Sequence, residues 1–185
     1  MKTTIQTLGV ILFSATSAFA AILTGPVYNP ANFHSYFLLT SSSWTVAEAE
    51  AVSLGGHLTT VNDTAENSWL VSSFSNYGGQ LRALWTGLND SAVDGVYTWA
   101  SGENSLFRNW EGGQPSTYIP EDDFVHIWPS PGPRSPGQWN DHYDISTFPA
   151  ESFQLYGVVE VVPEPTIFCL VSLGIAALTI RGKLK

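Results

Sequence analysis

The chain has 185 residues, 44% of them hydrophobic, 13% aromatic and 12% charged, with a net charge of −9 at pH 7. That is enough chain for one aromatic-rich core, and its acidic balance excludes nucleic acid, whose phosphate backbone demands a basic face. The single cysteine, Cys169, lies in a C-terminal apolar run, so the domain before it must fold without an internal disulfide.

Lys2 precedes an apolar run from Leu8 to Phe13, and Ala18-Phe19-Ala20 then offers the small-x-small pattern of a signal-peptidase site. Residues 1–20 are therefore expected to be a signal peptide. The Pro- and Asn-rich stretch 21–33 predicts a lead-in loop. Between Ala21 and Pro165 sixteen acids face only Arg82, Arg108 and Arg134, so the exported portion carries a net charge of −13.

His34 to Thr40 is aromatic and apolar and predicts a first strand. Trp44, Ala47, Ala51 and Leu54 then recur at helical spacing, with Thr45 and Glu48 spaced as a capping box and Gly55-Gly56 as the stop. His57 to Val61 crosses to Asp63, which is placed to cap a second helix carrying Glu66 at its third position. Trp69, Leu70 and Phe74 form that helix's inner side, and Asn76 to Gly79 ends it.

Beyond Gly79, glycine and proline recur too often for another helix. Leu81–Leu88, Val96–Trp99, Phe124–Trp128 and Gln154–Val161 predict strands, the last of them central. The irregular stretch from Ala100 to Pro120 is long enough to be a binding loop. Trp44, Trp69, Trp85, Trp99 and Trp110 are assigned to the core, whereas Trp128, just before Pro129-Ser130-Pro131-Gly132-Pro133, is expected at an exposed rim.

Between Trp110 and Asp141 oxygen-bearing side chains gather around two tryptophans. Gln114, Ser116, Asp122, Asn140 and Asp141 offer five side-chain oxygens of the amide, hydroxyl and carboxylate kinds. Calcium takes roughly six to eight such oxygens, neutral or charged, so this is donor chemistry for a hard cation. His126 and His142 lie near these acids but lack the third nitrogen ligand or nucleophile that a hydrolytic site needs, so no catalysis is expected.

The order of landmarks resembles the C-type lectin-like domain over residues 34–161. They are Ser43-Trp44 through Ala47 with Leu54-Gly55-Gly56-His57-Leu58, Trp85-Thr86-Gly87-Leu88, Trp99 with Ser101-Gly102, Asn109-Trp110, Gln114-Pro115, and Trp139-Asn140-Asp141. The resemblance implies an α+β fold, two helices flanking small antiparallel sheets beneath a long loop region. It also implies a calcium site whose ligands fall on Gln114 and Ser116 around a cis-proline, Asp122, Asn140 and Asp141. Ser116 stands where the family carries a carboxamide or carboxylate, and Asp122 is one methylene shorter than the usual Glu, which implies weaker calcium binding. The four usual cysteines are replaced by Ala51, Phe124, Asp144 and Val159, with Ala51 and Val159 expected to meet as an apolar contact.

In sugar-binding members of this family two vicinal hydroxyls complete the ion's shell. The ligand-binding residues implied here are Gln114, Tyr118, Asp122, Asn140 and Asp141, with Tyr118 placed to stack on a galactose-like sugar. The alternative is a module with the same fold that binds an extracellular protein without metal.

Val162-Pro163-Glu164-Pro165 leads into the fifteen apolar-biased residues Thr166–Ile180 and the basic end Arg181-Gly182-Lys183-Leu184-Lys185. At about 1.5 Å per residue that helix would reach roughly 23 Å, short of a ~30 Å hydrocarbon core unless its lysines snorkel. Residues 162–185 resemble the PEP-CTERM sorting signal. That resemblance implies an inner-membrane-anchored precursor in a Gram-negative-type bacterium, processing by an exosortase, and release to the cell surface or extracellular matrix.

Overall fold

The computed structural model describes residues 20–163 apart from 117, 118, 120, 133 and 149–152. The expected signal peptide up to residue 19, the expected sorting signal from 164 onward, and Tyr118 lie outside the described residues. Among those described, no helix is long and apolar enough to cross a membrane.

The elements run β1 (Ile22–Asn29), β2 (His34–Ser41), α1 (Trp44–Ser53), β3 (His57–Leu58), α2 (Thr64–Phe74), β4 (Ala83–Asn89), β5 (Thr98–Trp99), β6 (Phe124–Ile127), β7 (Trp139–His142), β8 (Thr147–Phe148) and β9 (Phe153–Val161), with a short 3₁₀ turn at Tyr77–Gly79. The main sheet has the order β1-β2-β9-β4-β6-β7; β3 and β8 add to β9, and β5 adds to β4. Every pairing is antiparallel except β4 with β9, which makes the sheet mixed. This is the expected α+β architecture, with β9 in the middle.

Alternation along β9 divides the core. Leu155 and Val159 point to the cluster holding Trp44, Ala47 and Ala51 of α1, while Tyr156 and Val158 point to the cluster holding Leu70 and Phe74 of α2. Ala51 and Val159 thus share one apolar cluster, where the resemblance places a disulfide in other members. Between Leu155 and Val159, Gly157 lets α1 approach, because a Cβ there would stand 2.8 Å from the Ala47 Cβ. Gly87 of the Trp85–Leu88 motif does the same for β3, since its Cβ would meet the Leu58 carbonyl oxygen at 2.5 Å.

Three local expectations are corrected. Residues 21–33 are not a loop, because β1 pairs with β2 over Ile22–Asn29. Register shifts absorb Gly25-Pro26, and an edge strand tolerates the N–H that proline lacks. No capping box forms on α1. Its N-cap Ser43 makes no side-chain cap bond; the remote Asp144 accepts from Thr45 N instead, and Glu48 accepts from Leu58 N and meets His57 Nδ1 at 2.6 Å. Trp128 is not at an exposed rim but 2% exposed, its Nε1 donating to Glu111 Oε2 at 2.8 Å. The cap on α2 is as expected, with Asp63 Oδ1 accepting from Glu66 N at 2.8 Å.

Candidate functional site

Trp139-Asn140-Asp141, outside the strands expected from sequence, forms most of β7 and pairs with β6, with His126 opposite Asn140 and Val125 opposite Asp141. Strand alternation therefore sends Asn140 and Asp141 to opposite faces. Asn140 turns inward: its Nδ2 donates to the Asp141 carbonyl at 2.5 Å and lies 3.3 Å from His126 Nε2. Asp141 turns to the long loop. Only 2% exposed, it accepts at Oδ2 from Ser116 N at 2.8 Å and from the Tyr97 hydroxyl at 3.1 Å.

The bond from Ser116 ties the Gln114-Pro115-Ser116 segment onto β7, and the Gln114–Pro115 peptide is cis, as the resemblance implies. Trp110 bridges to Trp139 below, and the two rings meet edge to face 5.9 Å apart. A rigid aromatic floor thus sets where the loop's oxygens sit.

Three oxygens of this loop–strand corner are buried with no hydrogen-bond donor among the described residues: Gln114 Oε1, Asp122 Oδ1 and Asp141 Oδ1. Leaving such atoms unpaired costs on the order of 1–3 kcal/mol each, more when charged. His142 Nδ1 stands 3.7 Å from Asp122 Oδ1, yet it accepts the Tyr143 N–H, and burial lowers its pKa to about 4. The ring is therefore neutral near pH 7 and supplies no compensating charge. Burial, reinforced by the Asp141 charge, pushes Asp122 up to about 6. Burial also raises Asp141, against the lowering effect of the bonds from Ser116 and Tyr97.

A divalent cation would remove that cost, and a set of one amide and two carboxylate oxygens suits calcium rather than a metal that prefers nitrogen or sulfur. Among the described residues no three His, Cys, Asp or Glu side chains come together to cage a metal by themselves. Of the sequence-predicted ligands, Gln114, Asp122 and Asp141 present unpartnered oxygens. Ser116 contributes a backbone N–H that holds Asp141, and Asn140 is turned to His126.

Two participants went unread in the sequence. Tyr97 holds Asp141, and Asp90, buried with Oδ1 unpartnered among the described residues, accepts from Gly95 N and donates its own N–H to Asp123 O. Asp90 follows directly on the Trp85–Leu88 strand, a position that could have marked it; Tyr97 had no such signal. His126 is fully buried, edge-on to Trp85 and Trp128, with its pKa lowered to about 3 by burial and then by His142. It is a packed neutral imidazole that substrate cannot reach.

The sequence matches the family described as "Lectin C-type domain" over residues 40–150. Among curated proteins it is similar to the galactose-specific lectin nattectin of Thalassophryne nattereri, 29% identical over 80 residues that make up 43% of this chain and 50% of that protein. It is also similar to ladderlectin of Oncorhynchus mykiss, 29% identical over 119 residues, or 64% of this chain and 60% of that one. The matches thus span half to three-fifths of those relatives. Among solved structures, the C-type lectin CEL-I of Cucumaria echinata superposes with a TM-score of 0.60 at 24% identity, covering 71% of this chain and 91% of that one, a likeness of fold.

Proposed function

We propose, from the premise that this chain belongs to the C-type lectin domain family, that it is a non-catalytic carbohydrate-binding module whose site is the corner between the Gln114–Ser116 loop, Asp122 and β7. The observation that carries this reading is the trio of buried, unpartnered oxygens on Gln114, Asp122 and Asp141. Calcium held there would offer open coordination positions to a pair of vicinal hydroxyls. Tyr97 and the Ser116 N–H fix Asp141 through Oδ2 and leave Oδ1 to face the ligand side. The neutral His142, its Nδ1 3.7 Å from Asp122 Oδ1, brings no positive charge to that carboxylate.

A galactose-like sugar is the favoured ligand. The relative named as a galactose-specific lectin supports it, as does Tyr118 four residues after Gln114, where a ring can stack on the sugar's apolar face. The terminal segments favour an exported chain, anchored at the inner membrane through residues 166–180, handled by an exosortase-type enzyme and acting at the cell surface or in extracellular matrix. A glycan array tests the central reading. Retention should require calcium, and chelator or Asp141→Ala should abolish it; retention unchanged by chelator would defeat it.

One observation favours a second reading. Asn140 spends its amide on His126 and the Asp141 carbonyl, so the donor set is thinner than the family pattern. A metal-independent surface for an extracellular protein would use the same fold.

A further inference from the structure

The turn between β1 and β2 holds the one non-glycine residue with positive φ among those described, Phe33 at 65°, and its ring is 65% exposed. A bulky side chain rarely adopts that region, because its Cβ crowds the backbone there. The turn is not frayed. Asn29 accepts from Ala31 N through its side chain and from Phe33 N through its carbonyl, and Asn32 accepts from His34 N. Asn32 also donates to Tyr36 and Glu66, which roots the tip in buried groups. An aromatic side chain is thus held outward by a rigid turn, against both backbone preference and the hydrophobic effect.

Two other facts say what covers it. Antiparallel register sets Ser35 opposite Val161, so the chain leaves β9 beside His34, and Val162 there is 51% exposed while Tyr28 on β1 is 54% exposed. The apolar run Thr166–Ile180 begins four residues beyond Val162, within about 14 Å even at full extension. Moreover, no Asp, Glu, Lys or Arg occurs between Lys2 and Glu48, so the hairpin itself contributes none of the acids that give the domain its negative charge, and its His34 is paired with Glu160. Bringing the tip to a lipid surface strips water from no Asp, Glu, Lys or Arg of the hairpin.

We propose, on the reading of residues 166–180 as a membrane anchor, that the β1–β2 turn, with Phe33 at its tip and Tyr28 and Val162 beside it, docks into the headgroup region of that membrane. Strand order puts β1 at one edge of the sheet and β7 at the other. Docking by the turn therefore engages the edge of the sheet opposite to the one that carries the Asp122–Asp141 corner. This docking is independent of what ligand that corner holds.

The test uses the full chain in phosphatidylcholine vesicles, with Cys169→Ser and one new cysteine carrying an environment-sensitive fluorophore at Phe33→Cys, Val162→Cys or Val93→Cys. Val93 is exposed and lies beyond β4, near the acidic corner. Probes at 33 and 162 should shift to the blue, be quenched by nitroxide-bearing lipid and escape aqueous iodide, while the probe at 93 should do none of these. Probes at 33 and 162 that remain as open to iodide as the one at 93 would overturn the proposal, as would a chain that fails to float with the vesicles. A blue shift that depends on protein concentration in the absence of lipid would overturn it too, because a second copy would then be the occupant.

Discussion

At Asp122 stability and function pull in opposite directions. Its Oδ1 is buried without a donor among the described residues, and the Asp141 charge acts on the same carboxylate. Its folded pKa, about 6, lies above the ordinary aspartate value of 3.8, so the stability tied to its protonated form is complete below about pH 4 and lost as pH rises through 6. Asp122→Asn should match wild type in thermal midpoint at pH 4 in chelator and become the more stable protein as pH passes 6, while losing calcium uptake. Equal midpoints at pH 7 would mean that this carboxylate is not strained by burial. Asp141→Ala should remove calcium uptake and also release the loop, because Ser116 N and the Tyr97 hydroxyl both lose their acceptor; isothermal titration and proteolysis of the loop would read the two effects separately.

Among the elements, the helix starts show what sequence can and cannot convey. The Asp63 cap on α2 is legible because its acceptor and the Glu66 N–H are three residues apart. The cap on α1 is not, because Asp144 reaches Thr45 across ninety-nine residues. Asp63→Ala and Asp144→Ala should each cost about 1 kcal/mol in urea unfolding. Strand β1 escaped notice for a related reason: an edge strand needs neither apolar alternation nor every N–H, so Pro26 and Asn29 read as loop. Trp128 was misplaced because the prolines after it suggested exposure, whereas Glu111 supplies the partner that lets its indole be buried. Gly87, by contrast, is a motif residue with a visible cause. Gly87→Ala should destabilise the domain by about 1–3 kcal/mol through overpacking against Leu58, measured by chemical denaturation.

Taken together, the described residues form a mixed sheet with a helix packed on each face, a hairpin without Asp, Glu, Lys or Arg at one edge and an acidic corner at the other. The fold was legible because Trp85–Leu88, Trp110 and Trp139 are both core and landmark, and their burial does not depend on the ligand. The proposed site was legible in residue type but not in orientation: Gln114, Asp122 and Asp141 each leave a buried oxygen without a hydrogen-bond partner among the described residues, whereas Asn140 faces His126, a partner fourteen residues away on the neighbouring strand. On the proposed function, calcium should raise the stability of the whole domain by about 2.7 kcal/mol at one hundred times the dissociation constant, since a ligand of the folded corner alone shifts the equilibrium away from the unfolded chain. Calorimetric titration of calcium into the chelator-stripped protein at pH 7 tests the central claim most directly. The account predicts saturable uptake of one ion, lost in Asp141→Ala; heats indistinguishable from dilution would contradict it.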